Sequence, residues 1–312
     1  MSSFLVTGGA GFIGSNICEE LIRRGHKVRV IDDLSTGNID NIKGILSKIE
    51  FINDSICNAD AIKKACCGMD FVLHQAAIPS VPRSVKDPLT SNHVNIDGTL
   101  NVLLAARDSG VRKVVFAASS SAYGESESLP KKEEMKPMPL SPYAISKLAG
   151  EHYCKVFCDL YGIETVSLRY FNVFGPKQDP ASEYAAVVPK FISSILAGRQ
   201  PLIYGDGLQT RDFTFIKNVV EANILCTERK LHGEVLNIAT GSRITLIRLV
   251  EMLNSIIGSD IEPELGDERE GDIRHSLADI SLAEKVIGYR PKICVEEGLK
   301  ETVRWFKNKK SS

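Results

Sequence analysis

The sequence predicts an α/β fold built on a doubly wound parallel sheet, and two observations lead to this prediction. Six short apolar runs alternate with amphipathic stretches up to residue 169. Several of the amphipathic stretches end at a glycine suited to a helix C-cap, namely Gly25, Gly68, Gly110 and Gly162. Parallel strands need long crossover connections, usually helices, so this alternation favours a parallel sheet covered on both faces.

Each predicted strand is a short run rich in Val, Ile, Leu and Phe, of the kind that a parallel sheet buries on both faces. The six runs are residues 4–7, 27–31, 50–52, 70–74, 113–118 and 164–169. The stretches between them carry apolar residues at three- and four-residue spacing, which predicts amphipathic helices. The clearest of these helices are residues 13–24, 59–67, 94–109 and 142–161.

Beyond Arg169 the regular alternation stops. Residues 173–212 carry many Gly, Pro and polar residues around one helical stretch, 186–197, and residues 234–239 are predicted as one more strand. The change predicts a second, smaller and discontinuous α/β domain. We assign residues 1–172 with about 213–241 to the larger domain, and about 173–212 with 242–312 to the smaller one.

The composition is that of a soluble globular protein and argues against two broad classes of partner. The 38 Lys and Arg nearly cancel the 39 Asp and Glu, so a general electrostatic attraction to nucleic acid or an anionic membrane is not expected. No segment reaches the roughly 18 apolar residues of a membrane-spanning helix, and the first residues do not resemble a signal peptide. Eight cysteines without a CxxC pair and six histidines without ligand spacing indicate a cytoplasmic protein without a metal site.

A glycine-rich turn joins the first strand to the first helix. The sequence TGGAGFIG, residues 7–14, places glycines at 8, 11 and 14, which permits a tight turn and close approach of a pyrophosphate. The free N–H groups at the helix start then face the phosphates. Because the strand, the helix and an acidic residue after the second strand coincide, we predict a Rossmann-type dinucleotide site. The alternative is a glycine turn without a ligand.

The acidic residue is Asp32, at the end of the second strand. A carboxylate there accepts hydrogen bonds from the adenosine ribose and repels a 2′-phosphate, and no Arg or Lys follows immediately. Asp32 therefore favours NAD over NADP. The alternative is a carboxylate that only caps a loop.

Tyr143 and Lys147 lie four residues apart at the start of a predicted helix, so they share one face. A free tyrosine is a poor base at neutral pH, but a nearby ammonium and a cationic nicotinamide can lower its pKa. The pair is thus a candidate for accepting a proton from a hydroxyl, although such spacing also occurs on solvated helix faces.

The run FAASSSAYG, residues 116–124, adds three serine hydroxyls where a strand ends, and these could relay that proton or merely cap a loop.

Together, these motifs resemble the extended short-chain dehydrogenase/reductases. The stretch RYFNVFGP, residues 169–176, narrows the resemblance to nucleotide-sugar epimerases and dehydratases, and most nearly to 4-epimerases of UDP-N-acetylglucosamine and UDP-glucose. The resemblance implies tightly bound NAD and a homodimer in which helices 94–109 and 142–161 of both copies form a four-helix bundle. It also implies that Ser119, Tyr143 and Lys147 are the catalytic residues.

The resemblance assigns further residues to ligands. Those at the cofactor are Gly8, Gly11, Phe12, Ile13, Gly14, Asp32, Asp33, Ser35, Thr36, Gly37, Ser55, Ile56, Gln75, Ala76, Ala77, Asn95, Tyr143, Lys147 and Tyr170. Those at the substrate are Ser84, Ser119, Ser120, Tyr143, Asn172, Tyr204, Arg211, Arg269, Asp272 and Ser276. Ser55 stands where the family usually has an Asp that contacts the adenine amino group, so that contact is in doubt.

Two positions refine the implied reaction. Dehydratases of the family carry Asp-Glu after the catalytic hydroxyl, whereas this chain has Ser120 and Ser121, so the resemblance favours an epimerase. Ser276 takes the place of a Tyr found in epimerases restricted to glucose and galactose, which makes room for an N-acetyl group. Two fixed guanidiniums, Arg211 and Arg269, would hold the diphosphate, unless they only form surface salt bridges.

The implied activity is reversible C4 epimerisation of UDP-N-acetylglucosamine, and of UDP-glucose as well, through a transient 4-keto sugar and enzyme-held NADH. Two alternatives stay open within enzymes: a UDP-glucuronate 4-epimerase or decarboxylase, and another nucleotide-sugar 4-oxidoreductase that exchanges its cofactor. A non-catalytic NAD-binding sensor is the alternative from another class. Such a protein would be expected to lose Ser119, Tyr143 or Lys147, and all three are present.

Overall fold

The computed structural model describes residues 1–125, 128–180, 186–268 and 273–310. The strands within these ranges are β1 Ser3–Thr7, β2 Lys27–Ile31, β3 Glu50–Ile52, β4 Phe71–His74, β5 Lys113–Ser119, β6 Glu164–Tyr170, β7 Val173–Phe174, β8 Leu202–Tyr204, β9 Thr210–Arg211, β10 Thr214–Phe215, β11 Glu234–Ile238, β12 Ile244–Thr245 and β13 Glu264–Gly266. Seven of them form one parallel sheet in the order β11-β6-β5-β4-β1-β2-β3. All six predicted strands of the first half, and the later strand at 234–239, are confirmed within one residue at each end.

The α-helices are α1 Phe12–Arg23, α2 Ala59–Cys66, α3 Val81–Lys86, α4 Pro88–Asn92, α5 Gly98–Asp108, α6 Pro142–Tyr161, α7 Val187–Leu196, α8 Ile216–Glu228, α9 Leu246–Ile257, α10 Ser281–Ile287 and α11 Val295–Lys310. The predicted helix at 94–109 begins earlier than expected, because a π-helical turn, His93–Asp97, joins α4 to α5. Helix α6 has the predicted bounds. Ser141 caps its N-terminus by accepting the N–H of Ala144 at 3.1 Å, and Gly162 in the left-handed conformation ends it.

The strand order reverses between β1 and β4. Chain connections leave these neighbours in opposite directions, one toward β2 and the other toward β5, so a crevice opens beyond their carboxyl ends. Thr7 and His74 are register partners at that edge. The fold therefore places residues following β1, β4 and β5 around one cleft.

Two apolar cores lie on the opposite faces of the sheet. The larger includes residues of α1, α7, α8 and α9, and the smaller includes residues of α2, α5 and α6. On the second face α6 approaches β5 closely, because a Cβ on Gly150 would lie 2.3 Å from Cζ of Phe116. This close approach brings the polar start of α6 to the end of β5.

The chain after β6 contains more regular structure than the sequence analysis specified. Short strands pair as β7 with β10, β8 with β13, and β9 with β12, and helices α8 to α11 pack around them. Two-residue strands carry too little periodicity to be recognised in sequence. The larger core continues from the sheet into α7 and α9, and the division into two domains stays a prediction.

The structure also bears on the cysteines, on membrane spans and on metal sites. All eight cysteines are free thiols. The described helices include none that is both long and apolar enough to span a bilayer. Among the residues whose positions are given, no group of three His, Cys, Asp or Glu side chains is arranged to hold a metal ion.

Candidate active site

A cleft of about 640 Å³ opens at the switch point of the sheet. It gathers most of the residues that the sequence assigned to a dinucleotide. These are Gly8, Gly11, Phe12, Ile13, Gly14, Asp32, Asp33, Ser35, Thr36, Ser55, Ile56, Gln75, Ala76, Ala77, Tyr143, Lys147 and Tyr170. Residues from six separate segments of the chain thus meet around one cavity.

The glycine turn has the shape of a phosphate cradle. Gly8 has φ +68°, and a Cβ there would lie 2.7 Å from the backbone of Ala76. A Cβ on Gly14 would lie 2.2 Å from the carbonyl oxygen of Gly8, so side chains are excluded at both positions. The N-terminus of α1 has no side-chain cap and opens on the cleft. Backbone N–H groups there fit the pyrophosphate of a dinucleotide.

Asp32 lies at the end of β2, buried to 8% exposure. Its Oδ2 accepts the N–H of Ala10 at 2.9 Å and its Oδ1 accepts the N–H of Leu34 at 2.9 Å. Burial raises the pKa of this carboxyl, and the two backbone donors lower it. Gly37 does not line the cleft but packs on Asp32, since a Cβ there would lie 2.7 Å from Oδ1. Asp32 therefore organises the loops around the cleft, and its contact with a ribose stays a prediction.

The structure brings Ser119, Tyr143 and Lys147 together where β5 ends and α6 begins. The Ser119 hydroxyl lies close enough to the Tyr143 phenol to lower its pKa. Ser119 Oγ already accepts the N–H of Ser121 at 3.2 Å and the hydroxyl of Ser121 at 2.9 Å. Its own proton is therefore available for donation to Tyr143, which stabilises a phenolate. Burial raises the pKa of Tyr143 and outweighs the Ser119 hydrogen bond, which lowers it.

Lys147 is only 4% exposed, and its ammonium donates to the carbonyl oxygen of Ala117 at 2.8 Å. It lies 6.0 Å from the ring centroid of Tyr143 and 5.0 Å from that of Phe116. Burial raises the pKa of Tyr143, and the predicted lowering of that pKa by Lys147 and a bound nicotinamide stays a prediction. Burial also lowers the pKa of Lys147 to about 8, so its ammonium stays mostly charged at neutral pH.

Because Lys147 is buried, its charge is expected to lower the free energy of unfolding in a pH-dependent way. Lys147→Met is expected to raise the free energy of unfolding most below pH 8, by an amount on the order of 3 kcal/mol. Between pH 8 and 10.5 the unfolded chain holds the Lys147 proton and the folded chain has lost it, so the native sequence gains stability as pH rises and the advantage of Met shrinks. Urea unfolding of both proteins across this range measures the difference. A difference in the free energy of unfolding that does not change with pH would contradict the lowered pKa of Lys147 in the folded protein.

Two residues assigned to ligands lie beneath the cleft rather than in it. Ser84 is fully buried, donates to the carbonyl of Val81 at 2.7 Å and accepts the N–H of Tyr143 at 3.0 Å. Asn95 is 2% exposed and does not line the cavity. The predicted contacts of Ser84 with substrate and of Asn95 with cofactor are therefore corrected. Both side chains are occupied by hydrogen bonds inside the protein, and Ser84 holds the start of α6.

A second cavity, of about 530 Å³, adjoins the first, and Ala186 lines both. Three predicted substrate residues line it: Asn172, Tyr204 and Arg211. Asn172 has φ +37° and donates to the carbonyl of Asp212 at 3.1 Å, which fixes the orientation of its amide. The predicted residues Arg269 and Asp272 lie outside the described residues.

Three further predicted substrate residues, Ser119, Ser120 and Ser276, line neither cavity. Ser276 lies beside the strand of Arg211, and its N–H donates to the carbonyl of Thr210 at 3.0 Å. Ser120 is half-buried directly after β5.

The sequence analysis did not assign Arg83 or Gln178, which both line the first cavity. Arg83 follows Ser80, whose unusual φ of +90° begins α3 and whose side chain accepts the Arg83 N–H. Across the described residues the Arg83 guanidinium makes no hydrogen bond or ion pair.

Comparison with known proteins places this cleft in a family. A model of the NAD dependent epimerase/dehydratase family matches residues 4–239, so the chain belongs to that family and its cofactor is NAD. A putative UDP-glucose 4-epimerase of Methanocaldococcus jannaschii is 42% identical over 97% of this chain and 98% of its own. A UDP-glucuronate 4-epimerase of Thermodesulfobacterium geofontis is 35% identical over 98% and 97%.

A solved structure agrees over the whole fold. The UDP-N-acetylglucosamine 4-epimerase from Methanobrevibacter ruminantium, in complex with UDP-N-acetylmuramic acid, is 45% identical and superposes with a TM-score of 0.95. The match covers 99% of each chain. The predicted family and Rossmann-type fold are thereby confirmed.

Proposed function

We propose that the protein catalyses reversible C4 epimerisation of a UDP-hexose, with UDP-N-acetylglucosamine and UDP-glucose as its substrates and with NAD held throughout turnover. The observation that carries the proposal is that Tyr143 and Lys147 both line the cofactor cavity, with Ser119 at the end of β5 lowering the pKa of the Tyr143 phenol. A dinucleotide in the first cavity and a nucleotide sugar in the second would bring their reacting ends to this pair. The named activities of the relatives agree with the proposal.

NAD, when bound, supplies the reversible two-electron acceptor for the sugar carbon at C4. The protein moves the proton: Tyr143, as its phenolate, accepts it at Oη from the 4-hydroxyl and becomes a neutral phenol, and donation from the Ser119 hydroxyl stabilises the phenolate beforehand. The 4-keto sugar turns within the cleft, and Tyr143 returns the proton on the other face. Lys147, fixed by Ala117, holds the start of α6 and adds positive charge when protonated.

Ser120 and Ser121 support epimerisation over elimination. Elimination of a hydroxyl needs an acid to protonate the leaving group and a base to take the C5 proton. Next to Ser119 the chain offers two hydroxyls, and Ser121 uses its own to donate to Ser119. A dehydratase is therefore disfavoured.

Arg83 favours a second candidate substrate, UDP-glucuronate. Its partly buried guanidinium lines the cleft beside Tyr143 and is without an ion pair among the described residues. A desolvated cation of this kind is stabilised by an anion, and a sugar carboxylate supplies one.

We also propose a homodimer. Apolar side chains project from α3, α4 and α6 into solvent: Val85 is 63% exposed, Leu89 81%, Ile145 53% and Leu160 70%. Such a surface is unusual for a monomer, and two copies of α6 packed together would bury it. Sedimentation equilibrium of the purified protein measures the mass that tests this.

The activity is tested with purified protein and no added NAD. UDP-N-acetylglucosamine, UDP-glucose and UDP-glucuronate are incubated separately, and the anomeric protons are followed by NMR. Appearance of the C4 epimer establishes both the reaction and retained NAD. Turnover only after NAD is added would indicate an exchanging cofactor, and no turnover of any of the three sugars with NAD would contradict the proposal.

Ser276→Tyr is expected to narrow the substrate range. The larger side chain fills space that an N-acetyl group requires, so turnover of UDP-N-acetylglucosamine should fall about tenfold or more relative to UDP-glucose. Ser276→Thr is the control, because it adds little volume. Equal effects of Ser276→Tyr on both sugars would show that this position does not distinguish them.

A further inference from the structure

A hydrogen-bonded series of buried polar side chains lies beneath the cofactor cavity. Its first three members have no role in the proposed reaction. Thr7, His74 and Thr99 are each at most 1% exposed. The imidazole of His74 lies between the two hydroxyls, with Nδ1 2.7 Å from Thr7 Oγ1 and Nε2 3.0 Å from Thr99 Oγ1. The ring also packs on Phe116, with 5.6 Å between ring centroids, so its orientation is determined on three sides.

The outer contacts of the two threonines determine where the protons lie. Thr99 Oγ1 donates to the carbonyl of Asn95 at 2.6 Å, so it must accept from His74 Nε2. Thr7 Oγ1 accepts the N–H of Ala76 at 3.2 Å, which leaves its own proton for His74 Nδ1. The network therefore assigns a neutral imidazole with its proton on Nε2.

The surroundings of His74 oppose its protonation. Burial, together with the smaller effect of the Lys147 charge, lowers the pKa of His74 to about 3. A proton on Nδ1 would also face the Thr7 oxygen, which already accepts the N–H of Ala76. Protonation would leave the Thr7 hydroxyl without its acceptor.

The series continues to the catalytic helix through Asn95. Its Oδ1 accepts the N–H of Ile78 at 2.8 Å, and its Nδ2 donates to the carbonyl of Ile78 and to Ser146 Oγ, both at 3.1 Å. Ser146 Oγ in turn donates to the carbonyl of Tyr143 at 2.8 Å. Hydrogen bonds thus connect residues 76 and 78 to the turn of α6 that carries Tyr143.

The segment held by this network forms a wall of the cofactor cavity. Residues 75–78 all line the cleft, and a Cβ on Gly8 would meet Ala76 at 2.7 Å. The segment and the glycine turn are therefore so close that a small displacement of either changes the space for a dinucleotide. Its position matters for binding as well as for stability.

We propose that His74 is a positioning residue, which in one neutral tautomer holds residues 75–78 in place between the glycine turn and the start of α6, and so sets the affinity for NAD. The inference rests on the cofactor of the family and not on the sugar that the protein converts. The tests measure the tautomer of His74 and the affinity for NAD, so their results hold even where epimerisation is not observed.

The first test is spectroscopic and uses the unmodified sequence. Long-range ¹H–¹⁵N correlation spectra of the ¹⁵N-labelled protein, with His74 assigned by its absence in His74→Gln, report the tautomer directly. The expected result is a proton on Nε2 and no titration between pH 6 and 8. A proton on Nδ1, or a charged ring at neutral pH, would overturn the proposal.

The second test breaks the network at its far end. Thr99→Val removes the acceptor of His74 Nε2 at nearly constant volume and is expected to weaken NAD binding about tenfold, because a buried donor is left without a partner. Thr99→Ser keeps the hydroxyl and should retain NAD affinity within about twofold. NAD binding is measured by calorimetry after removal of retained cofactor, and unfolding by urea is followed in parallel.

A matched control separates positioning from general stability. Thr302 is fully buried in α11 and donates to the carbonyl of Gly298 at 2.7 Å, the same one-turn contact that Thr99 makes in α5. Thr302→Val should therefore cost comparable stability and leave NAD affinity unchanged. Wild-type affinity in Thr99→Val, or equal losses in Thr99→Val and Thr99→Ser, would overturn the proposal.

Discussion

Tyr143→Phe is expected to lower the rate of epimerisation about 10²- to 10⁴-fold and to leave the fold and NAD content unchanged. The substitution removes only the phenolic oxygen, which in the proposed mechanism accepts the proton of the 4-hydroxyl and whose pKa the Ser119 hydroxyl lowers. The ring is partly buried beside Lys147 and stays in place. The rate is measured by NMR of the anomeric protons, and retained NAD by absorbance after denaturation.

Tyr153→Phe provides the matched control. Tyr153 lies on the same helix and packs on the smaller core, away from the residues that line the cleft. Its loss of a hydroxyl should leave turnover near that of the native sequence. If Tyr143→Phe turned over substrate as fast as this control, Tyr143 would not be the proton acceptor and the proposed mechanism would fail.

The largest stability effect is expected at a buried ion pair next to the active site. Arg169 on β6 and Glu151 on α6 are each 3% exposed and form two hydrogen bonds, of 2.9 and 2.7 Å. Glu151→Gln leaves a guanidinium that cannot lose its proton in an apolar place, so the free energy of unfolding should fall by about 3–5 kcal/mol. Urea unfolding measures the loss.

Replacing both partners tests the cause of that loss. The pair Glu151→Leu with Arg169→Met removes both charges at similar volume and should recover most of the stability, because desolvation then costs nothing. Asp159→Asn is the control on the same helix, since it breaks an exposed ion pair with Lys155 and should change stability little. A double variant as unstable as Glu151→Gln would show that shape at this site matters more than charge.

The sequence by itself determined the sheet and the ligand-binding edge of the fold. Strand positions were predictable because a parallel strand buried on both faces is a continuous apolar run, as at 113–118. The glycine turn at 7–14 was predictable because it depends on backbone conformation, which a run of glycines specifies locally. Tyr143 and Lys147 were predictable as a pair because helical spacing alone puts them on one face.

Only the tertiary structure decided which polar side chains face the cleft. Ser84 and Asn95 are of types that bind ligands, yet the packing of α3 and α5 against α6 occupies both with internal hydrogen bonds. His74 gave no signal in sequence, because its partners Thr7 and Thr99 are distant along the chain. The pKa values of Tyr143 and Lys147 likewise depend on burial. Local sequence specifies backbone and periodicity, whereas burial and hydrogen bonding arise between segments that meet only in the folded chain.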